Sequence, residues 1–260
     1  ELNQQGHPSQ YFINIQGENI MQYTVGVIMD PIASIKPHKD TSFAMMLEAQ
    51  RRGAKVVYFE LKDLYLDNGK PMGLGKTVSV KDQATDFYTI EDESTLYLGD
   101  IDVLLMRKDP PFDSEFLYAT QVLSLAQDAG ALVVNNPQAL RDYNEKLFTS
   151  YFPEHIPNTL VTNNQALIRE FHAKHQDIIC KPLDGMGGAS IFRVKPDGNN
   201  LGVIIETLTK LGTRYMMVQE YLPEIKDGDK RVLIVDGEVM PYCLARLPTK
   251  GETRGNLAAG

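Results

Sequence analysis

The stretch KPLDGMGGASIFRV, Lys181–Val194, decides how the C-terminal half is read. It continues the apolar run DIIC, so Lys181 stands at the end of a buried strand. Gly185, Gly187 and Gly188 follow within four positions. They let the backbone take φ > 0 and come close to a ligand. Successive N–H groups in such a turn form an anion-binding concavity, and a lysine beside them puts a compact charge on the same oxygens. A glycine-rich hairpin with a solvated lysine has the same composition, so the loop alone does not choose between the two. It is not a Walker motif, because no Gly-Lys-Ser/Thr is present. Nor is it a dinucleotide fingerprint, since no helix clearly follows.

Working outward, Lys146 lies upstream in DYNEKLF, a helix-like segment at an apparent domain junction. Downstream, RYMMVQEYL is an apolar strand ending in Gln219, Glu220, Tyr221 and Leu222. A strand exit of this kind offers backbone groups that can read an adenine edge, or it is simply an edge of the core. Asp229 and Arg231 follow, then Arg246 and Arg254. Lone arginines are usually solvated, whereas several converging on one cleft suit carboxylate and phosphate oxygens. Asp236-Gly237 between two apolar runs is a hairpin signal. The C-terminal half therefore reads as α+β with antiparallel strands.

The N-terminal half alternates differently. YTVGVIMD, KVVYFE, IDVLLMR and ALVVN read as buried strands. DTSFAMMLEAQRRG reads as a helix capped within Asp40–Ser42 and stopped at Gly53, and DSEFLYATQVLSLAQDAG as one capped by Asp113 and stopped at Gly130. The segment between KVVYFE and IDVLLMR reads as irregular, with a Gly-Leu-Gly turn. Alternation of this kind predicts an α/β, doubly wound parallel sheet with function at the C-terminal strand ends. PIASIKPHKD has prolines where phosphate-binding glycines belong, which excludes a dinucleotide oxidoreductase. The expected division is an extension over 1–20, an N-terminal Rossmann-like domain over 21–143 and an α+β domain over 144–260.

The 260 residues carry a net charge of -8 without a long basic run, which argues against nucleic acid as a partner. No apolar stretch approaches the roughly 20 residues of a membrane helix, and the first twenty residues are not a secretory signal. Cys180 and Cys243 each sit in an apolar run and read as reduced, buried core residues of a cytoplasmic protein. The final stretch GETRGNLAAG is loop-like and reads as a truncated end.

The order Lys146, Lys181, DGMGGAS, VQEYL, DKRVLIVDGE resembles the ATP-grasp fold. GVIMDP, SFAMMLEAQRRG, LMRKDPPFD, RDYNEKLF, KPLDGMGGASIFRV, IKDGDKRVLIVDGEVMPYCLAR and GETRGNLAAG extend the resemblance to the bacterial glutathione synthetase family, from about Tyr23 to Gly260. That resemblance implies a pre-ATP-grasp domain followed by an ATP-grasp domain, and ATP-dependent ligation of γ-glutamylcysteine to glycine through an acylphosphate. It implies Lys146 and Lys181 on the ATP phosphates, with Gly185, Met186, Gly187, Gly188 and Ser190 covering them. Gln219, Glu220, Tyr221 and Leu222 would bind adenine, with Asp229 near the ribose or phosphates. Arg107 would face the peptide substrate. Arg231, Arg246 and Arg254 would stabilise the transferring phosphoryl group and substrate carboxylates, and Asn256 would lie in a closing loop. The family's Mg²⁺ ligands, an acidic strand and a Glu-x-Asn element, are expected beyond residue 260, so no metal ligand is assigned and the 260 residues alone are expected to be inactive. A homotetramer is also implied. Two rival readings share the phosphate apparatus: another carboxylate–amine ligase of the D-alanine–D-alanine type, and a nucleotide-binding fragment without turnover.

Overall fold

The structure, a computed structural model, describes residues 11–13, 19–21, 23–235 and 237–249. The chain divides into two compact units, Glu1–Tyr143 and Asn144–Gly260. Among the described residues no helix is long and apolar enough to cross a membrane.

In the first unit, β1 (Tyr11–Ile13) and β2 (Asn19–Met21) pair antiparallel. There follow β3 (Thr24–Ile28), α1 (Thr41–Arg51), β4 (Lys55–Phe59), β5 (Leu64–Asp67), β6 (Lys70–Val80) and β7 (Tyr88–Tyr97). Then come β8 (Val103–Met106), α2 (Ser114–Asp128), β9 (Leu132–Val134) and α3 (Pro137–Asp142). The main sheet has seven strands in the order β5-β6-β4-β3-β8-β9, with β7 added on β6. Strands β4, β3, β8 and β9 run parallel. Residues along a strand alternate between faces, and the core divides accordingly. Val27, Met29, Val56 and Tyr58 pack with Phe43 and Met46 of α1. Ile28, Val57, Phe59, Leu104 and Met106 pack with Phe116, Ala119, Leu123 and Ala126 of α2. The sheet is thus covered on both faces, as a doubly wound sheet requires. Asp40 accepts from Phe43 N–H at 2.8 Å and Asp113 from Phe116 N–H at 3.0 Å, satisfying first-turn donors of both helices.

The Gly-Leu-Gly segment is not an irregular turn. It lies inside β6, which pairs antiparallel with β4, β5 and β7. A Cβ at Gly73 would stand 2.8 Å from Phe59 Cε1, and one at Gly75 would stand 2.7 Å from both Leu96 and Val57. These glycines make room for Phe59 rather than reversing the chain. Gly26 has the same constraint from the other side, with a Cβ placed 2.6 Å from Leu104 Cδ2. Gly26→Val is expected to cost about 1–3 kcal/mol through overpacking. It is read as a lower urea midpoint with unchanged slope.

The second unit holds β10 (Thr159–Thr162), α4 (Gln165–His175), β11 (Ile178–Pro182), β12 (Phe192–Val194), α5 (Leu201–Thr209) and β13 (Met216–Glu220). Short strands follow: β14 (Asp229–Arg231), β15 (Ile234–Val235), β16 (Glu238–Val239) and β17 (Leu244–Arg246). An antiparallel sheet, β10-β13-β11-β12, packs Ile178, Cys180, Val194, Met216 and Val218 against Ile168 of α4 and Ile204, Ile205 and Leu208 of α5. Helix α5 falls in a region expected to be strand-rich. Its β-branched run Val203–Ile205 looks like a strand, but Leu201, Ile204, Ile205 and Leu208 recur at helical spacing and reach the core.

Two further expectations are corrected. The helix expected through DYNEKLF stops at Asp142, because Asn144 Oδ1 accepts from Lys146 N–H and Leu147 N–H, each at 3.0 Å, and starts a separate 3₁₀ turn, Leu147–Tyr151. Cys243 is exposed, unlike Cys180. It lies just before β17, in the segment 229–246 where Val232, Leu233, Ile234 and Leu244 are also exposed among the described residues.

Candidate functional site

Strand β11 delivers Lys181 to the mouth of the glycine-rich loop. Lys146, the residue before the 3₁₀ turn, reaches the same loop, with Nζ 2.7 Å from Gly185 O and 2.8 Å from Glu145 Oε1. Asn144 Nδ2 donates to Leu183 O at 3.3 Å, and Arg214 holds Asp184 at 2.6 Å, so the N-terminal flank of the loop is tied down twice. Beyond that flank the chain takes φ +65° at Gly187 and +83° at Gly188, conformations that only glycine enters cheaply. Ser190 also lies in the left-handed region, at φ +56°. Strain of this kind persists where the surroundings impose it and concentrates at ligand clamps. Lys181 is half-buried, and burial first, then the Lys146 charge, lowers its pKa below the usual lysine value. Two like charges beside a loop of backbone donors have one natural complement, a polyanion.

At the end of β13 the sheet itself consumes part of the backbone. Glu220 N–H donates to Asn158 O and Tyr221 N–H to Asp177 O, both at 3.0 Å. Leu222 N–H has no partner among the described residues. The Gln219 and Glu220 side chains bind Thr159 Oγ1 at 2.9 Å and Asn158 Nδ2 at 2.8 Å. The exit is braced by a residue absent from the expected set. Arg193 grips Asp177 through two bonds of 2.9 and 2.6 Å and lies 3.6 Å over the Tyr221 ring. Pairs this distant in sequence leave no local signal, although alternation along β12 allows the placement. If the exit reads adenine as the sequence predicts, Arg193→Ala raises the KM for ATP about tenfold, the scale of a partly desolvated cation–π contact plus its ion pair. Steady-state kinetics at saturating acceptor check this.

Asp229 and Arg246 face each other across β14 and β17 and bind bidentately, at 2.6 Å in both bonds. Arg246 is therefore held by Asp229 rather than converging freely with Arg231, which is exposed on the same strand. Arg254 and Asn256 lie outside the described residues. In the first unit, Arg107 follows β8 and lines a cavity of about 370 Å³ with Asp30, Lys39, Asp40, Ser42 and Asp109.

Each unit has its own counterpart among known families. Residues 23–141 match the family model "Prokaryotic glutathione synthetase, N-terminal domain", and residues 145–260 match "Prokaryotic glutathione synthetase, ATP-grasp domain". The chain belongs to the prokaryotic glutathione synthetase family. Within that family it is 61% identical over 236 residues to the glutathione synthetase of Escherichia coli (strain K12), covering 91% of this chain and 75% of that one. Against the glutathione synthetase of Photorhabdus laumondii the identity is 60% over the same coverage. Solved structures share the fold at lower identity. The D-cycloserine synthetase DcsG superposes with a TM-score of 0.61 at 15% identity, over 88% of this chain and 70% of that chain. The ATP-grasp ligase PsnB, solved with a phosphomimetic variant of its minimal precursor, Mg and ADP, gives 0.53 at 20% identity, over 88% and 73%. The glutathione synthetase family thus accounts for both units, and ATP-grasp is the fold of the second.

Proposed function

We propose that the Lys146–Lys181 pair and the loop over Gly185, Met186, Gly187, Gly188 and Ser190 hold the phosphates of ATP while a peptide carboxylate is activated for amide formation. The enzyme class is that of the family, an ATP-dependent ligase, and the activity is glutathione synthesis. The observation that carries the phosphate assignment is the convergence of two lysines, one half-buried with a lowered pKa, on a loop whose glycines hold positive φ.

The acceptor carboxylate of γ-glutamylcysteine is a poor electrophile. One of its oxygens attacks the γ-phosphorus and ADP leaves. The acylphosphate then offers phosphate as the leaving group. The glycine amine attacks the carbonyl carbon, the tetrahedral intermediate collapses, the C–O bond to phosphate breaks and the amine gives up a proton. Such chemistry needs charge neutralisation, alignment and exclusion of water more than a side-chain nucleophile. Lys146 and Lys181 supply charge to the phosphates. Gln219 to Leu222 frame the adenine, with Leu222 N–H as the available donor, and Asp229 lies toward the ribose or phosphates. Arg231, Arg246 and Arg254 stabilise the transferring phosphoryl group and the substrate carboxylates, with Asn256 as a further catalytic residue. Mg²⁺ would screen phosphate charge, but among the described residues no group of three His, Cys, Asp or Glu could hold a metal ion. The oligomer is a homotetramer and the compartment the cytoplasm, on family resemblance.

Incubation of the full-length protein with ATP, γ-glutamylcysteine and glycine tests the reading. One ADP per glutathione is expected. Phosphate release only with D-alanine or other acceptors would assign the protein to another ATP-grasp ligase class.

A further inference from the structure

Lys146 reaches the glycine-rich loop from a segment with weak anchorage of its own. Helix α3 ends at Asp142, and the 3₁₀ turn Leu147–Tyr151 begins only after Lys146, so no regular element carries this lysine to the sheet. Apolar packing holds the segment poorly. Leu147, Phe148, Tyr151 and Phe152 are each more than a third exposed, and the Phe148 ring meets those of Tyr151 and Phe152 in its own segment. Repulsion also opposes the pairing, since the Lys146 charge disfavours the ammonium form of Lys181. Two lysines that face one polyanion therefore need a tether that adds no charge.

Asn144 has the geometry of that tether. Its Oδ1 accepts from Lys146 N–H and Leu147 N–H, each at 3.0 Å, which fixes the backbone at the base of the lysine. Its Nδ2 donates at 3.3 Å to Leu183 O, just past Lys181 at the end of β11. Lys146 Nζ lies 3.5 Å from the same Leu183 O and donates to Gly185 O at 2.7 Å. Those carbonyls act only on the tip of a long, flexible side chain, whereas Asn144 acts on the backbone. The network also fixes which amide atom is which, because two N–H groups require the oxygen and a carbonyl requires the nitrogen. A carboxylate of the same shape makes the first set of bonds and not the second, and a serine hydroxyl is too short to span both.

We propose that Asn144 is a positioning residue for ATP, setting the Lys146 ammonium beside Lys181 by tying the Lys146 backbone to the strand end that carries Lys181. This rests on the phosphate reading of the two lysines and adds to it the residue that keeps them in register. Asn144 acts through Lys146 and does not itself touch phosphate. Capping the 3₁₀ turn needs only its oxygen, so the bond from Nδ2 to Leu183 O is the part that serves the site.

Two substitutions in the full-length protein separate the cap from the tether. Asn144→Asp and Asn144→Ser each keep an oxygen for the N–H groups and lose the bond to Leu183 O. Each is expected to weaken ATP binding about tenfold, read as Kd by equilibrium titration, the scale of one lost hydrogen bond. The KM values for γ-glutamylcysteine and glycine should stay unchanged. Asn144→Ser brings no new charge, and it keeps the test available if Asn144→Asp does not fold. A cycle with Lys146→Met supplies a readout that a purely structural role would not move. Without its ammonium the position of residue 146 ceases to matter, so Asn144→Ser should change the ATP Kd by less than about twofold in that background. A tenfold loss in both backgrounds, equal losses for all three substrates, or an unchanged ATP Kd in both Asn144 variants would overturn the assignment. If Lys146→Met itself leaves ATP affinity and turnover intact, the phosphate reading fails, and the role of Asn144 fails with it.

Discussion

Lys181→Met is expected to lower glutathione formation by about 10²–10³-fold, the scale of losing one charge-stabilising donor at a reacting centre. The same substitution should leave the thermal midpoint of the ligand-free protein unchanged or raise it. The reason lies in the lowered pKa of Lys181, caused by burial and then by Lys146. Between that lowered value and the ordinary lysine value of the unfolded chain, the unfolded state holds more protons, so stability increases with pH across that window. Below it the buried ammonium opposes folding, and methionine removes that opposition. A residue that burdens the fold yet is needed for turnover separates function from stability. Phosphates bound beside Lys181 should push its pKa back up. Nucleotide binding should then take up protons within the window, and affinity should fall as pH rises through it. Calorimetric titrations in two buffers of different ionisation enthalpy measure the proton uptake, and a null result would remove Lys181 from the phosphate site.

Gly228→Ala is the second substitution with a large expected effect. Gly228 has φ +94°, and a Cβ there would stand 2.6 Å from the carbonyl oxygen of Arg246 and 2.9 Å from Leu247 Cδ2. A backbone oxygen cannot swing away as a side chain does, so β14 and β17 must part. The Asp229–Arg246 pair spans these strands through two 2.6 Å bonds and would lose its geometry. A fall in kcat of about tenfold or more is expected, the scale at which misplacement of a charged group matters, with nucleotide affinity changed far less. Steady-state kinetics beside equilibrium nucleotide binding separate the two effects. Equal loss in both would mean that the ribbon supports binding rather than transfer.

What was legible in the sequence follows the range of the interaction involved. Asp40 and Asp113 could be read as caps because each acts on a residue three positions ahead. The parallel strands could be read because burial on both faces makes them continuously apolar. The β6 glycines could not, because their reason is Phe59 on a neighbouring strand. Helix α5 was hidden by β-branched residues whose helical spacing matters only once a core exists. In the site, the glycine loop and Lys181 declared themselves through local chemistry. The Arg193–Asp177–Tyr221 brace and the Asp229–Arg246 pair did not, since each joins strands whose registry must be known first. The first-unit cavity was visible only through Arg107, because its acidic residues come from three separate segments.

The most direct test of the central claim follows oxygen. γ-Glutamylcysteine carrying ¹⁸O in both oxygens of the acceptor carboxylate is turned over with unlabelled ATP and glycine. Activation through an acylphosphate predicts one ¹⁸O in each inorganic phosphate released and one retained in the new amide of glutathione. Glutathione formed alongside phosphate free of ¹⁸O would contradict it.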